Sequence, residues 1–229
     1  MKKTSAVAAA PAAGVHSTSA ARKIAVLALL SALGFVSMLV IRIPVISFLK
    51  YEPKDIFITF AGFLFGPIAA LGCAIVTAFL ELPFGQTGLV GMLMNILSSA
   101  AFACTASLIY KKRRDIYGAA LGLVCAVAAM TVSMLLWNYL ISPLYMGVSR
   151  ADIVPMLSTV FLPFNLLKAG INAALALLLY RPFLRVLQLC GYPVSDHLAD
   201  KKSSVVLTAA ISAVLLAVCI GVVVYLNRG

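Results

Sequence analysis

Apolar stretches recur along almost the whole chain, and several reach the roughly 20 residues that a helix needs to cross a bilayer. That one feature excludes most folds. With 63% of its residues hydrophobic and 11% charged, the chain has too little polar surface to enclose a soluble core. Its mean hydropathy is +1.07. A β-barrel would instead alternate lipid-facing and lumen-facing residues over short segments. The sequence therefore predicts an all-α integral membrane protein.

Residues 1–21 read as a flexible cytoplasmic tail, because Pro11, Gly14 and His16 interrupt any apolar core that a cleaved signal would need. A first span is expected from Arg22 to Ile43, halted at Pro44, followed by the polar stretch Lys50 to Asp55. The apolar run Ile56 to Leu82 is interrupted by Gly66-Pro67, a turn signal that breaks a helical hydrogen-bond ladder. It divides into a short second span and a third. Further spans are expected at Gly88 to Tyr110, Tyr117 to Ile141 and Pro155 to Tyr180, with loops at Glu81 to Thr87 and Ser142 to Asp152. The membrane domain would thus cover 22–182. A cytoplasmic linker at 183–203 would lead to an additional transmembrane helix within 204–229, apolar from Val205 to Leu226.

Charge sets the orientation. With the N-terminus inside and the Gly66-Pro67 break counted, the inner segments hold twelve of the 18 Lys and Arg, including the run Lys111-Lys112-Arg113-Arg114. The outer segments hold five, and Lys168 lies within a span. That excess is what the positive-inside rule requires. An unbroken span over 56–82 would put the tetrabasic run outside while the N-terminal cluster stayed inside, so the charges support the split. A seventh span leaves the C-terminus outside.

The same distribution accounts for the net charge of +11 without nucleic acid, since no basic patch is interleaved with aromatics. Five scattered cysteines form neither CxxC nor a Cys/His cluster, and read as small packing residues. There is no phosphate-binding Gly-rich loop ending in Gly-Lys-Ser/Thr, no HExxH and no GxSxG. An enzyme is not expected, and neither is a cofactor.

An ionisable residue inside a bilayer is costly and marks function. Lys168 lies about 13 residues into the sixth expected span, roughly 20 Å from its outer end. Asn165, Lys168 and Asn172 follow at i, i+3 and i+7, on one helical face. Pro163 just before them denies a donor to a backbone carbonyl. This face either lines a binding cavity or glues helices together, as Asn side chains do in membranes. Asn138, between Trp137 and Tyr139, is either part of an aromatic anchor at the interface or the polar tip of a cup for a flat ligand. Asn95, with Ser98 and Ser99 nearby, has the same two alternatives. The stretch 50–55 is a solvated connector or a lid over an outward cavity. Ala28 and Ala32, at i and i+4 in the first span with Ala25 close by, would let another helix approach closely.

The ordered set Lys50-Tyr51-Glu52-Pro53-Lys54-Asp55, Phe65-Gly66-Pro67, Trp137-Asn138-Tyr139 with Pro143-Leu144-Tyr145, and Pro163-Phe164-Asn165-Leu166-Leu167-Lys168 resembles the riboflavin-specific S components of energy-coupling factor (ECF) transporters. The resemblance covers roughly residues 22 to 182. It implies a six-helix binding subunit in the plasma membrane, with its substrate site near the outer face. Its implied partners are a transmembrane coupling protein and two ATPase subunits, whose ATP hydrolysis topples the loaded subunit. It further implies that Asn138, Asn165 and Lys168 contact riboflavin, that Glu52 reaches the ribityl hydroxyls, and that Ala25, Ala28 and Ala32 meet the coupling protein. The chemistry suits the ligand, because the flavin ring presents carbonyls flanking an N–H that an Asn amide can match. Two features depart from the family pattern, namely the Ala-rich tail and the seventh span. A site for another flavin or vitamin, and a non-transport structural role, are the alternatives.

Overall fold

The structure is a computed structural model that describes residues 20–46, 49–85 and 88–192, and five positions beyond them, Ala210, Ser212, Ala213, Ala217 and Gly221. Helix α1 (Ala20–Val40) leads into a small antiparallel hairpin, β1 (Ile43–Ile46) and β2 (Leu49–Tyr51). Then follow α2 (Lys54–Phe65), α3 (Pro67–Glu81), a 3-10 turn (Leu82–Phe84), α4 (Gly88–Lys112) and α5 (Ile116–Met146). The last described stretch is one long helix, α6 (Arg150–Met156), a π turn (Leu157–Phe161) and α7 (Leu162–Leu189). Counting that stretch once gives six helices among the described residues. Among the described residues the hairpin is the one departure from all-α structure, occupying what reads in sequence as a connector.

The expected break between α2 and α3 is present. Gly66 sits at φ 92°, a backbone conformation open to glycine and strained for other residues, and its N–H closes the end of α2 on the Gly62 carbonyl. Pro67 then opens α3 at the position where its missing N–H costs nothing. The two helices fold back on each other as an antiparallel pair. Five helical segments are long and apolar enough to cross a membrane: Ala20–Val40, Pro67–Phe84, Gly88–Lys112, Ile116–Met146 and Arg150–Leu189. The short second span is α2, whose 12 residues rise only about 18 Å, well below the ~30 Å apolar thickness of a bilayer.

The main core brings together one stripe from each of α2, α4, α5 and α7, including Phe60, Phe102, Leu123, Met130, Ala173 and Tyr180. Small residues let these helices approach closely. A Cβ at Gly122 of α5 would lie 2.7 Å from the Ala106 carbonyl oxygen of α4, so the crossing there needs glycine. A second cluster seats α1 on α2 and α3 through Leu30, Ile58 and Cys73. Leucines such as Leu29, Leu121 and Leu136 remain exposed on the outer faces, as suits a surface solvated by lipid.

Helix ends differ from the expected spans where local capping overrides the loop signals. The loop expected at 142–152 shrinks to three residues. α5 carries Pro143 inside it and stops at Gly147 in the left-handed conformation, and Ser149 and Asp152 form a reciprocal capping box that starts α6. Helix α7 occupies the first part of the linker expected from residue 183. Although Arg181 and Arg185 read as the edge of the membrane, α7 continues to Leu189 and buries Leu184 and Leu187 in the main core. The expected tail lies almost wholly outside the described residues. So does the seventh span, apart from the five isolated positions, which are helical. One of them, Ser212, donates to the Ala174 carbonyl of α7 at 3.2 Å.

Candidate binding cavity

A cavity opens at the end of the bundle where α1 and α5 finish and α4 and α7 begin. The hairpin and the end of α1 contribute Arg42, Leu49, Lys50 and Glu52. The α3–α4 turn contributes Phe84 and Gly85, and α4 contributes Met94, Asn95 and Ser98. From α5 come Met134, Asn138 and Tyr145, and from the π turn and α7 come Phe161, Phe164, Asn165 and Lys168. The space between them is a cavity of about 190 Å³ behind an open mouth. The tetrabasic run lies at the opposite end of α4.

Five residues expected from sequence as binding residues, Glu52, Asn95, Asn138, Asn165 and Lys168, line this one cavity. They arrive from four separate segments of the chain.

Asn138 and Asn165 are held in the same way. Each amide nitrogen donates to a carbonyl four residues earlier in its own helix, Asn138 to Met134 and Asn165 to Phe161, both at 2.7 Å. The Asn138 oxygen also accepts from Ser142 at 2.8 Å. These bonds fix the side-chain rotamers before any ligand arrives. Each amide keeps a second N–H and a spare lone pair. The region around Asn165 departs from α geometry for a reason legible in the chain. Pro163 lacks an N–H, and the turn before it widens to π form, with the hydroxyls of Ser158 and Thr159 returning to the Pro155 carbonyl.

Lys168 is 7% exposed. Among the described residues its ammonium group forms neither a hydrogen bond nor an ion pair. A buried cation without a partner is costly, and it is tolerated where a cavity awaits something that accepts hydrogen bonds.

The third residue of the polar face behaves differently. One turn deeper, Asn172 accepts from the Tyr51 hydroxyl at 2.9 Å and donates to Asp55 at 3.0 Å. Asp55 also accepts from Ser99 at 2.5 Å. Asn172 is thus packing glue that ties the hairpin and α2 to α7, whereas Asn165 and Lys168 face the cavity. The aromatic cup around Asn138 is absent. Successive helical residues turn about 100° apart, so Trp137 packs against the main core and Tyr139 is 38% exposed. Its aromatic walls come instead from Phe84, Tyr145, Phe161 and Phe164.

The stretch 50–55 is neither a solvated connector nor wholly a lid. Lys54 is 1% exposed and pairs with Glu81, with Glu52 completing the group at 3.3 Å. Glu52 pairs in turn with Arg42 at 3.0 Å, and Glu81 accepts from Asn95 at 2.9 Å. Burial would push the Glu52 carboxyl up, but the positive groups of Lys54, Lys168 and Arg42 outweigh burial and hold it below its ordinary value. Read from sequence, Asp55 closes a polar stretch and Glu81 opens a loop, and neither position alone signals this network. The signal was present, since an α2–α3 pair folded at Gly66 brings opposite charges at its two open ends, Lys54 and Glu81, to the same level.

The family model for the substrate-specific component of ECF transporters matches residues 22–180. The chain is 31% identical to the Staphylococcus aureus riboflavin transporter RibU over 168 residues, 70% of this chain and 89% of the relative. It is 28% identical to the Bacillus subtilis riboflavin transporter FmnP over 160 residues, 64% of this chain and 84% of the relative. A solved structure of the S component of a bacterial ECF transporter superposes with a TM-score of 0.62 at 31% identity, covering 73% of this chain and 98% of that one. The chain belongs to the substrate-specific components of ECF transporters, and is a multi-pass membrane subunit that binds a transported substrate and is not an enzyme.

Proposed function

We infer that the cavity binds riboflavin, and that the chain delivers it across the plasma membrane with a transmembrane coupling protein and two ATPase subunits. The observation that carries this is Lys168, a buried residue whose ammonium has no hydrogen bond or ion pair among the described residues, set beside Asn165 and lining one cavity with Asn138. Both curated relatives described above are riboflavin transporters.

In this assignment Lys168 donates to a ring carbonyl or nitrogen, and the Asn138 and Asn165 amides answer the carbonyl and N–H edge of the ring. Phe161, Phe164 and Tyr145 flank the ring plane. Glu52 and Asn95, joined through Lys54 and Glu81, take the ribityl hydroxyls. A wrong ligand would leave these buried groups unpaired, which gives the site its discrimination. The N-terminus lies in the cytoplasm and the cavity opens outward, following the charge distribution. Ala25, Ala28 and Ala32 are all exposed on α1, and serve as the close-approach face for the coupling protein.

The test is uptake of labelled riboflavin by cells that make this chain together with a coupling protein and ATPases. Uptake should need all the subunits and should vanish in a Lys168→Ala/Asn138→Ala variant. Uptake undiminished in that variant would refute the assigned site, and uptake of a different vitamin alone would refute the substrate.

A further inference from the structure

The ion pair between Lys54 and Glu81 lines no part of the cavity, yet each partner holds a residue that does. Lys54 reaches Glu52 at 3.3 Å, at the end of the hairpin, while Glu81 accepts from Asn95 of α4 at 2.9 Å. Beyond Glu52 the chain of contacts continues to Arg42 at the end of α1. Positive and negative groups thus alternate, Arg42, Glu52, Lys54, Glu81, across four separate elements. The second oxygen of Glu81 is buried without a hydrogen-bond partner among the described residues, so Lys54 and Asn95 account for its polar contacts.

Such a pair is a poor device for stability alone. Desolvating two charges offsets most of their attraction, and a well-packed apolar pair commonly holds a fold as well. What a buried pair supplies is geometry. The alternative, a hairpin that carries Glu52 without a fixed anchor, would leave that carboxylate free to turn toward solvent with Arg42, which is itself partly exposed.

We propose that Lys54 and Glu81 are positioning residues, which set Glu52 and Asn95 against the ribityl chain of the ligand while leaving the ring contacts on the opposite wall untouched. This rests on the riboflavin assignment and assigns its two walls separate tasks. The ring is held by Asn138, Asn165 and Lys168, and the chain by the two residues that the ion pair anchors.

The experiment compares riboflavin with lumiflavin, which has the same ring and no ribityl hydroxyls, by quenching of flavin fluorescence on the purified full chain. Three variants are measured: Lys54→Met, Lys54→Met/Glu81→Gln, and Lys54→Arg. The double variant removes both buried charges together, so no carboxylate is stranded at position 81, and it keeps a carbonyl oxygen for Asn95. It should weaken riboflavin about tenfold, the size of one charge-assisted hydrogen bond, and leave lumiflavin within about twofold. Its ligand-free melting temperature should stay within a few degrees of the unaltered chain. Lys54→Met alone should weaken riboflavin at least as much as the double variant, and Lys54→Arg, which keeps the charge on a wider planar group, should recover part of that loss while lumiflavin stays within about twofold. Equal weakening of both flavins, or no weakening of riboflavin, overturns the positioning role. Failure of the unaltered chain to bind lumiflavin also overturns it, because ring contacts would then carry no binding of their own. If the unaltered chain binds neither flavin, the riboflavin assignment itself fails.

Discussion

Lys168→Met separates ligand binding from packing, because the two roles predict opposite signs. The substitution keeps most of the aliphatic stem of a residue that is 7% exposed, and removes an ammonium with no hydrogen bond or ion pair among the described residues. In the ligand-free protein its removal breaks no hydrogen bond or ion pair among the described residues. Removing it should therefore leave the melting temperature in detergent unchanged or higher. With riboflavin bound, the same ammonium gains a hydrogen bond from a charged donor, worth about 1.5–3 kcal/mol. Its loss should weaken riboflavin roughly 10- to 150-fold. The assay is a pair of measurements on one preparation, thermal unfolding without ligand and a fluorescence-quenching titration with it. A melting temperature several degrees lower with riboflavin affinity unchanged would show that Lys168 holds helices together, and the argument from an unpartnered cation would be wrong.

Three further outcomes follow. Asn172→Leu removes the acceptor of the Tyr51 hydroxyl and a donor to Asp55 and should cost about 1–3 kcal/mol of stability; thermal unfolding should show the loss, while riboflavin affinity in the folded fraction changes little. Glu52 is held below its ordinary value of 4.5 in the folded protein, so its contribution to stability is complete above that value and is lost as pH falls through the lower, folded one. The gap in melting temperature between the unaltered chain and Glu52→Gln should accordingly be widest near neutral pH and narrow as the pH falls below 4.5, and a constant gap would contradict this. Ala28→Trp/Ala32→Trp, on the exposed face of α1, should abolish cellular uptake and leave riboflavin binding by the purified chain intact, since neither position lines the cavity.

Lipid made part of this molecule readable from its sequence. A lysine in mid-span is expensive, so Lys168 stands out in the chain as it does in the structure, and its face brings Asn165 with it. The Gly66-Pro67 break was legible because neither residue continues a helix and because the charge rule fails without it. What escaped were groups whose sequence context looks like an interface. Lys54, Asp55 and Glu81 sit at the ends of apolar runs, where charges usually meet water, and only the folded-back α2–α3 pair with the hairpin above it buries them. Arg181 and Arg185 hid the continuation of α7 for the same reason, because two cations beside an apolar run read as its boundary. Trp137 and Tyr139 misled through adjacency, since neighbours in a helix sequence point in different directions. Asn172 shows that a shared face does not imply a shared role; one helical turn separates a group open to the cavity from one enclosed by Asp55 and Tyr51.

The central claim is that the cavity holding Lys168, Asn165 and Asn138 binds riboflavin. Its most direct measurement is a titration of the purified, ligand-free chain with riboflavin, following flavin fluorescence and the visible absorbance band. The account predicts quenching that saturates at one riboflavin per chain, and a large loss of affinity when Asn138 and Lys168 are replaced together. A linear, unsaturable response, or saturation that the double replacement leaves unchanged, would contradict it.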